Sequence, residues 1–476
     1  MTARLVTAFM CVLIAAGIAA PTAPARAAAG TQADWPAYLF GPEHSSLNPQ
    51  AAAINPGNAP SISPVWHWTP PPPTNGRPPN VLIASPTVAG GRVYIGAYTG
   101  VFYALDEATG SIVWKRFLGY APTDGTCAAR GTSGTATVAP DPVSGAATVY
   151  VDSGNGYLYA LDASTGSVRW RSLVAPVAQG YYNWSSPTVS GDVVYLGVAE
   201  RCGTRTVGGV KAFDQATGHL LASYDSVPTG SVGGAVWSSV ATDGSSVWAS
   251  TGDAQYAQSS AAAGDAYSIV RLDAGSLDRR EAWTVTSEYG TDLEFGASPT
   301  LFTATLHGKA TGMVGACNKN GIFYALRSKH LAAGPVWRQR IGLGAEHEKD
   351  ICIAAAIPDD SRSQLLIAGN QTTVGNTVVP ATLRAVDPAT GAKRWLTALP
   401  FGPILGTPAL DGAGVLAAAT YDDDDPSSNA LFLVDVRNGL VLKTVPTGSP
   451  TFAQPVFADG LLLVATVTNG LTAYAP

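Results

Sequence analysis

The chain has 476 residues, 46% hydrophobic and only 13% charged, with 52 Gly, 34 Pro and a net charge of −6. That usage excludes a disordered chain, which needs more charge and less apolar surface, and points to short strands punctuated by turns. The acidic balance, with no Lys/Arg cluster anywhere, excludes a nucleic-acid partner.

The N-terminus reads as a secretory signal over residues 1–27: Arg4, an apolar run from Leu5 to Ala20, and the small-x-small site Ala25-Arg26-Ala27. The run is too short for a membrane span and is followed by Pro21 and Pro24, so the expected product is secreted and soluble, with a net charge of −8. Cys11 lies inside the signal. Cys127, Cys202, Cys317 and Cys352 remain, in a compartment where disulfides persist, and they could pair in any of three ways.

After a lead segment, 28–63, the rest of the chain repeats. Val93 to Trp114 and Val149 to Trp170 each read as strand, Gly-rich turn, strand, Asp-x-x-Thr-Gly turn, and a strand ending in Trp. Thr109-Gly110 and Thr165-Gly166 supply the positive φ of a tight hairpin. The turn recurs at Asp214–Gly218, in altered form at Asp273–Ser276, at Asp387–Gly391 and at Asp435–Gly439, and a copy near Ala325 keeps only Trp337. Eight segments of the Ser-Pro-Thr-Val type, from Ser85 to Phe457, mark eight innermost strands. The eighth unit ends at Pro476 without a fourth strand, and Pro64-Val-Trp-His-Trp68 has the look of a fourth strand with nothing before it. The prediction is an all-β, eight-bladed propeller over 64–476, of four-stranded antiparallel blades, closed by N- and C-terminal strands sharing one blade and wedged by Trp between blades.

Long loops between second and third strands, at Glu200–Gly209, Gly252–Ala266, Gly369–Pro380 and Tyr421–Asn429, mark one face as the binding face. Asp422–Asp425 reads as a solvated charge run. Glu346-His347-Glu348 lacks the helical spacing of a zinc site. The sequons at Asn183 and Asn370 are short enough to arise by chance.

The residues between the repeats resemble the quinoprotein dehydrogenases that bind pyrroloquinoline quinone (PQQ) and Ca²⁺ in an eight-bladed propeller, most closely the secreted polyvinyl-alcohol dehydrogenase branch. Cys127-Ala-Ala-Arg130-Gly131 resembles the family's Cys-pair and Arg-Gly segment, with Arg130 set to fork onto a quinone carboxylate. Glu200 and Asp253, in Gly197-Val-Ala-Glu200 and Thr251-Gly252-Asp253, resemble the Ca²⁺ ligands, and Trp237 the indole that stacks under the quinone. Asp292-Leu-Glu294-Phe-Gly-Ala-Ser-Pro299 resembles the catalytic segment: Asp292 is the better match for the base and a further metal ligand, and Glu294 is the fallback base. Lys319-Asn320-Gly321 resembles the segment facing the quinone oxygens.

The resemblance implies a PQQ- and calcium-dependent oxidoreductase. In it the metal polarises a quinone carbonyl, an aspartate takes the proton of a small or polymeric alcohol, and an external acceptor receives the electrons. A monomer is expected. There is no Cys-x-x-Cys-His for a c-type haem.

Two departures stand out. The family's vicinal cysteine pair is reduced to Cys127, which is left to bridge Cys202 on a neighbouring loop, with Cys317 and Cys352 as a second staple; Thr291 stands before Asp292 where many members have Trp. Taken singly, the acidic residues and Arg130 read as solvated loop charges, Trp237 as core and Lys319 as surface; six compatible positions in the family's order point to a site. The alternatives are a non-catalytic propeller serving as a binding or assembly scaffold, since such propellers share the repeat, and a propeller recruited to a quinone-independent reaction.

Overall fold

The structure, a computed structural model, describes residues 33–73, 76–124, 127–203, 205–254, 259–345 and 351–476. The signal segment and Glu346-His347-Glu348 lie outside them. Eight antiparallel four-stranded blades follow in chain order: residues 87–117, 137–173, 188–225, 241–284, 300–340, 357–399, 409–446, and 456–475 with Ser63–Trp68. Ser63–Trp68 pairs antiparallel with Gly470–Ala475, from Ser63 opposite Ala475 to Trp68 opposite Leu471. No helix among the described residues is long and apolar enough to cross a membrane.

The repeat motif is an inter-blade joint. Asp106 Oδ1 accepts from the Thr109 N–H and hydroxyl, which folds the turn, and Gly110 follows at φ 70°. The missing side chain of Gly110 leaves room for the Trp66 indole of blade 8, which lies 2.6 Å from where a Cβ would be, while Trp66 Nε1 donates to Glu107 O at 2.9 Å. Trp114, Trp170, Trp337 and Trp395 repeat the joint, each donating to the next blade's turn, at Ala163, Gln215, Pro388 and Val436.

Blades 3, 4 and 7 lack the tryptophan, with Ala222, Glu281 and Lys443 in its place, and blade 3 compensates for the loss. Ala222 stands at its tryptophan position, opposite Ala212 as Trp114 stands opposite Ala104. The glycine position of the next turn is then Leu277, held at φ 57° and 2% exposed, in the same apolar cluster as Ala222. A large side chain from the turn fills the space that the indole leaves elsewhere, and accepts a left-handed backbone to do so.

The lead segment is a strap inside the central channel. Its backbone carbonyls accept from Val138, Thr242, Leu301 and Leu410 in turn, and Leu47–Asn48 pairs in parallel with Ala409–Asp411. Asn48 Nδ2 closes the circuit on Ala33 O and Asp34 O at 3.0 Å and on Phe457 O at 2.9 Å. Leu39, Phe40, His44 and Ser46 all have positive φ, so this path is strained and held by its partners.

Two predictions follow from this packing. Ala222→Trp and Leu277→Gly should each destabilise, by overfilling and by a cavity, at roughly 1–3 kcal/mol apiece, whereas the double variant should recover most of the loss; denaturant midpoints of the four proteins measure the coupling. His44, 1% exposed, donates from Nδ1 to Pro299 O at 2.8 Å, and burial pushes its pKa down to about 4. The unfolded chain therefore takes up that proton first. Stability present above the ordinary pKa of 6.5 is lost as pH falls towards 4, by about 3 kcal/mol, and His44→Gln should flatten that part of the pH–stability curve.

Candidate active site

Each innermost strand begins in the same way, and two positions of that beginning line a cavity of about 450 Å³ on the binding face. The deeper position carries hydroxyls that join blade to blade. Ser85 N donates to Thr135, Thr135 N to Ser186, Ser186 N to Ser239 and Ser239 N to Ser298, at 2.8–3.0 Å. Ala355 N donates to Thr407 and Gln454 N to Ser85, both at 2.9 Å. Ala355 has no hydroxyl to offer Ser298. The strap covers that gap, since the buried Tyr38 hydroxyl hydrogen-bonds with Ser298 and Thr407 and the ring borders the cavity from below.

The position two residues earlier supplies a second ring, running Ile83, Ser133, Trp184, Trp237, Gly296, Ile353, Leu405 and Phe452 around the channel. Gly296 makes room for its neighbour, because a Cβ there would collide with the edge of the Trp237 indole. Trp184 and Trp237 are equivalent in consecutive repeats, each followed by Ser-Ser. That repeated Trp-Ser-Ser is the sequence signal for Trp184.

Blades 3 to 5 add the charges. Glu200 ends the strand Val193–Glu200, Asp253 follows Ser246–Ser250, Asp292 and Glu294 lie in the loop before Thr300–Leu306, and Lys319 follows Lys309–Asn318. All five line the cavity with Trp237. Glu294, 6% exposed, is the hub: Oε1 accepts from Trp237 Nε1 at 2.9 Å and from Lys319 Nζ at 2.8 Å, and Oε2 accepts from Asp253 N at 2.6 Å. Lys319 Nζ also reaches Asp292 Oδ1 at 2.9 Å and lies 5.6 Å from the Trp237 ring centroid. Carboxylate oxygens of Asp253, Asp292 and Glu294 lie within 4.8 Å of one another.

The electrostatics follow from this crowding. Burial, then Asp253, Glu294 and Asp292, push Glu200 up to about 8, against Lys319. Burial also raises Glu294 against the pull of Lys319. Burial alone would lower Lys319, but Glu294 and Asp292 outweigh it and raise its pKa, so the ammonium stays charged. Such a set suits an oxygen-seeking cation, with Asp253, Asp292 and Glu294 nearest to one another and Glu200 beside them. The expected ligand set had Glu200 in the place that Glu294 takes in this cluster.

Arg130 is placed differently from the other five. It lies outside the cavity lining, with its guanidinium 4.8 Å from the centroid of Trp184, whose Nε1 donates to Glu200 O at 3.0 Å. The neighbouring loop is fixed by the Cys127–Cys202 disulfide and by Arg201, which pairs with Asp124 at 3.2 Å; Cys202 itself borders the cavity. Cys317–Cys352 is the second disulfide.

The model of the PQQ glucose/ethanol/alcohol dehydrogenase β-propeller domain matches residues 35–330. The chain belongs to that family. No curated protein sequence matches it. Among solved structures, a europium-containing methanol dehydrogenase is 17% identical with a TM-score of 0.74, covering 93% of this chain and 98% of that one. The quinohemoprotein alcohol dehydrogenase from Comamonas testosteroni is 19% identical with a TM-score of 0.69, covering 93% and 80%. BamB from Moraxella catarrhalis, 15% identical with a TM-score of 0.56 and covering 87% and 100%, shares the propeller too. At these identities the likeness is one of fold.

Gly252 tests the hub without touching a charge, because a Cβ there would collide with Glu294 Oε2 and lie 2.9 Å from Ala235 O. Gly252→Ala should weaken terbium binding at least tenfold, read by Trp-sensitised luminescence. Gly275→Ala, in an outer turn where the nearest atom is 3.5 Å away, should leave it unchanged.

Proposed function

We propose that the protein is a secreted quinoprotein that oxidises an alcohol with PQQ and a bound metal ion. The observation that carries this reading is the convergence of four carboxylates, one ammonium and two indoles in a single cavity of a family propeller. The residues fit the group: the volume lies in the range of roughly 300–1,000 Å³ usual for small-molecule sites, the Trp237 ring, given room by Gly296, lines the cavity with a flat apolar surface, and the oxygen donors suit a hard cation. Asp253, Glu294 and Glu200 would hold the metal, and Trp237 would carry the planar ring system. When bound, the quinone supplies the two-electron redox chemistry, an alcohol losing hydride and proton to become a carbonyl compound while an external acceptor removes the electrons.

What the chain itself does is orient and hold a proton. Asp292 Oδ1, fixed by Lys319 at 2.9 Å and 16% exposed in its side chain, is the acceptor for the alcohol proton. Lys319 keeps that carboxylate in place and would present positive charge to a bound quinone. Glu294 ties the indole, the ammonium and the Asp253 backbone into one rigid unit through its three hydrogen bonds. The signal sequence and the two disulfides support export.

Purified protein given PQQ and either Ca²⁺ or a trivalent lanthanide, with alcohols and a reducible dye, tests the proposal. Once a bound cation has displaced the proton of Glu200, four carboxylates facing one ammonium leave three negative charges, more than a divalent ion neutralises. Together with the shared fold of the europium-containing enzyme, this leads to the expectation of tighter binding for the trivalent ion. Asp292→Asn should lower dye reduction by roughly 10²-fold or more without loss of quinone binding. Absence of both quinone binding and dye reduction with every alcohol would defeat the reading.

A further inference from the structure

The second ring is not uniform. Every charged residue in the cavity lining, among the described residues, comes from blades 3 to 5; the arc from blade 6 round to blade 1 presents Ile353, Leu405, Phe452 and Ile83. Leu405 and Ile353 are 6% and 7% exposed, and the Phe452 ring is held edge-on by Tyr421 at 6.0 Å. The arc begins at the reacting end, because Ile353 Cγ2 and the Trp237 edge crowd the same point beside Gly296. One half of the cavity therefore offers oxygen ligands, an ammonium and a proton acceptor, and the other half offers four apolar side chains at one level.

We propose that Ile353, Leu405, Phe452 and Ile83 form the substrate subsite and that it selects an alcohol with an aliphatic body over a sugar or a polyol. The inference rests on the quinoprotein reading and adds the substrate class to it. An alcohol bound with its hydroxyl at Asp292 has its carbon chain directed away from the carboxylates, since apolar surface gains nothing beside ions and hydroxyls lose their hydrogen bonds beside Leu and Phe. A polyol placed there would leave its further hydroxyls facing the apolar arc without partners, which is the stronger basis of rejection. Ser85 and Thr407 also border the cavity, but at the deeper level, where each already joins one blade to the next.

The test has a kinetic arm and a binding arm. With quinone, metal and dye present, kcat/KM should rise about fourfold per added methylene from ethanol to about hexanol, the gain expected for burying one CH₂. Glucose, glycerol and polyvinyl alcohol should fall at least tenfold below hexanol. Leu405→Asn should remove most of the dependence on chain length, mainly through KM, so that hexanol loses at least tenfold more of its kcat/KM than ethanol does. Phe452→Leu, which keeps the surface apolar, should keep the dependence and guards against misfolding of the Asn variant.

In the binding arm, hexanol and glucose are titrated by calorimetry into the metal-loaded, quinone-free protein. Tighter hexanol binding that is lost in Leu405→Asn supports the subsite even if the quinone reading fails. A flat alkanol series, or glucose, glycerol or polyvinyl alcohol matching hexanol, overturns it while leaving the quinoprotein reading standing.

Discussion

The ring of backbone N–H groups donating to the hydroxyls of the next blade is the constraint on which the rest of this molecule depends. It works near the channel, where the starts of the blades meet, and small hydroxyl residues at most of these positions satisfy the buried donors of their neighbours. Because each bond fixes the start of one blade against the next, the residue two positions earlier is fixed as well. Trp237 is held in its orientation by the Ser239 bonds on either side as much as by Glu294. Where blade 6 offers only Ala355, closure passes to Tyr38 of the strap, so the floor of the cavity and the continuity of the ring are one structural element.

The acidic cluster runs against stability. Carboxylates that are largely buried and within 4.8 Å of one another repel, and a single ammonium does not balance them. A fold that keeps such a cluster on its binding face, next to a glycine whose only evident service is to leave space for an indole, has departed from local consistency at one place, and such departures gather at functional sites. The rigid hydroxyl ring beneath makes this strain bearable, because Glu200 and Asp253 sit at or just past the ends of strands, and Glu294 a few residues before Ser298, in blades that the ring ties to their neighbours.

The propeller was legible because the joint that makes it is written in consecutive residues. Asp, Thr-Gly and Trp recur at fixed spacing, and each has one task in the turn or the wedge. The exception at Ala222 and Leu277 was visible only as an altered turn, since nothing local says that a leucine at positive φ substitutes for an indole on another blade. The strap was not legible at all. Its bonds run to six different blades, so it has no period, and its fold is set by partners more than a hundred residues away, as with His44 and Pro299. For the site, five of the six residues singled out meet in one cavity, because their motifs sit at strand ends that the repeat itself aligns. Arg130 lies on the 121–130 loop, whose position is set by Arg201 and a disulfide rather than by the repeat.

The same alignment explains how one ring of equivalent positions becomes a site with two unlike halves. Starting from eight identical strand beginnings, the cavity would be symmetric and could hold only a ligand indifferent to direction. Glycine at blade 5 and indoles at blades 3 and 4 break the equivalence, and the acidic loops of blades 3 to 5 then share the cavity with the apolar side chains of the other blades. A ligand with a polar, oxidisable end and an apolar remainder matches that asymmetry in one orientation only. The backbone that makes the positions equivalent is also what makes their differences readable as chemistry, because side-chain identity alone distinguishes one blade's contribution from the next.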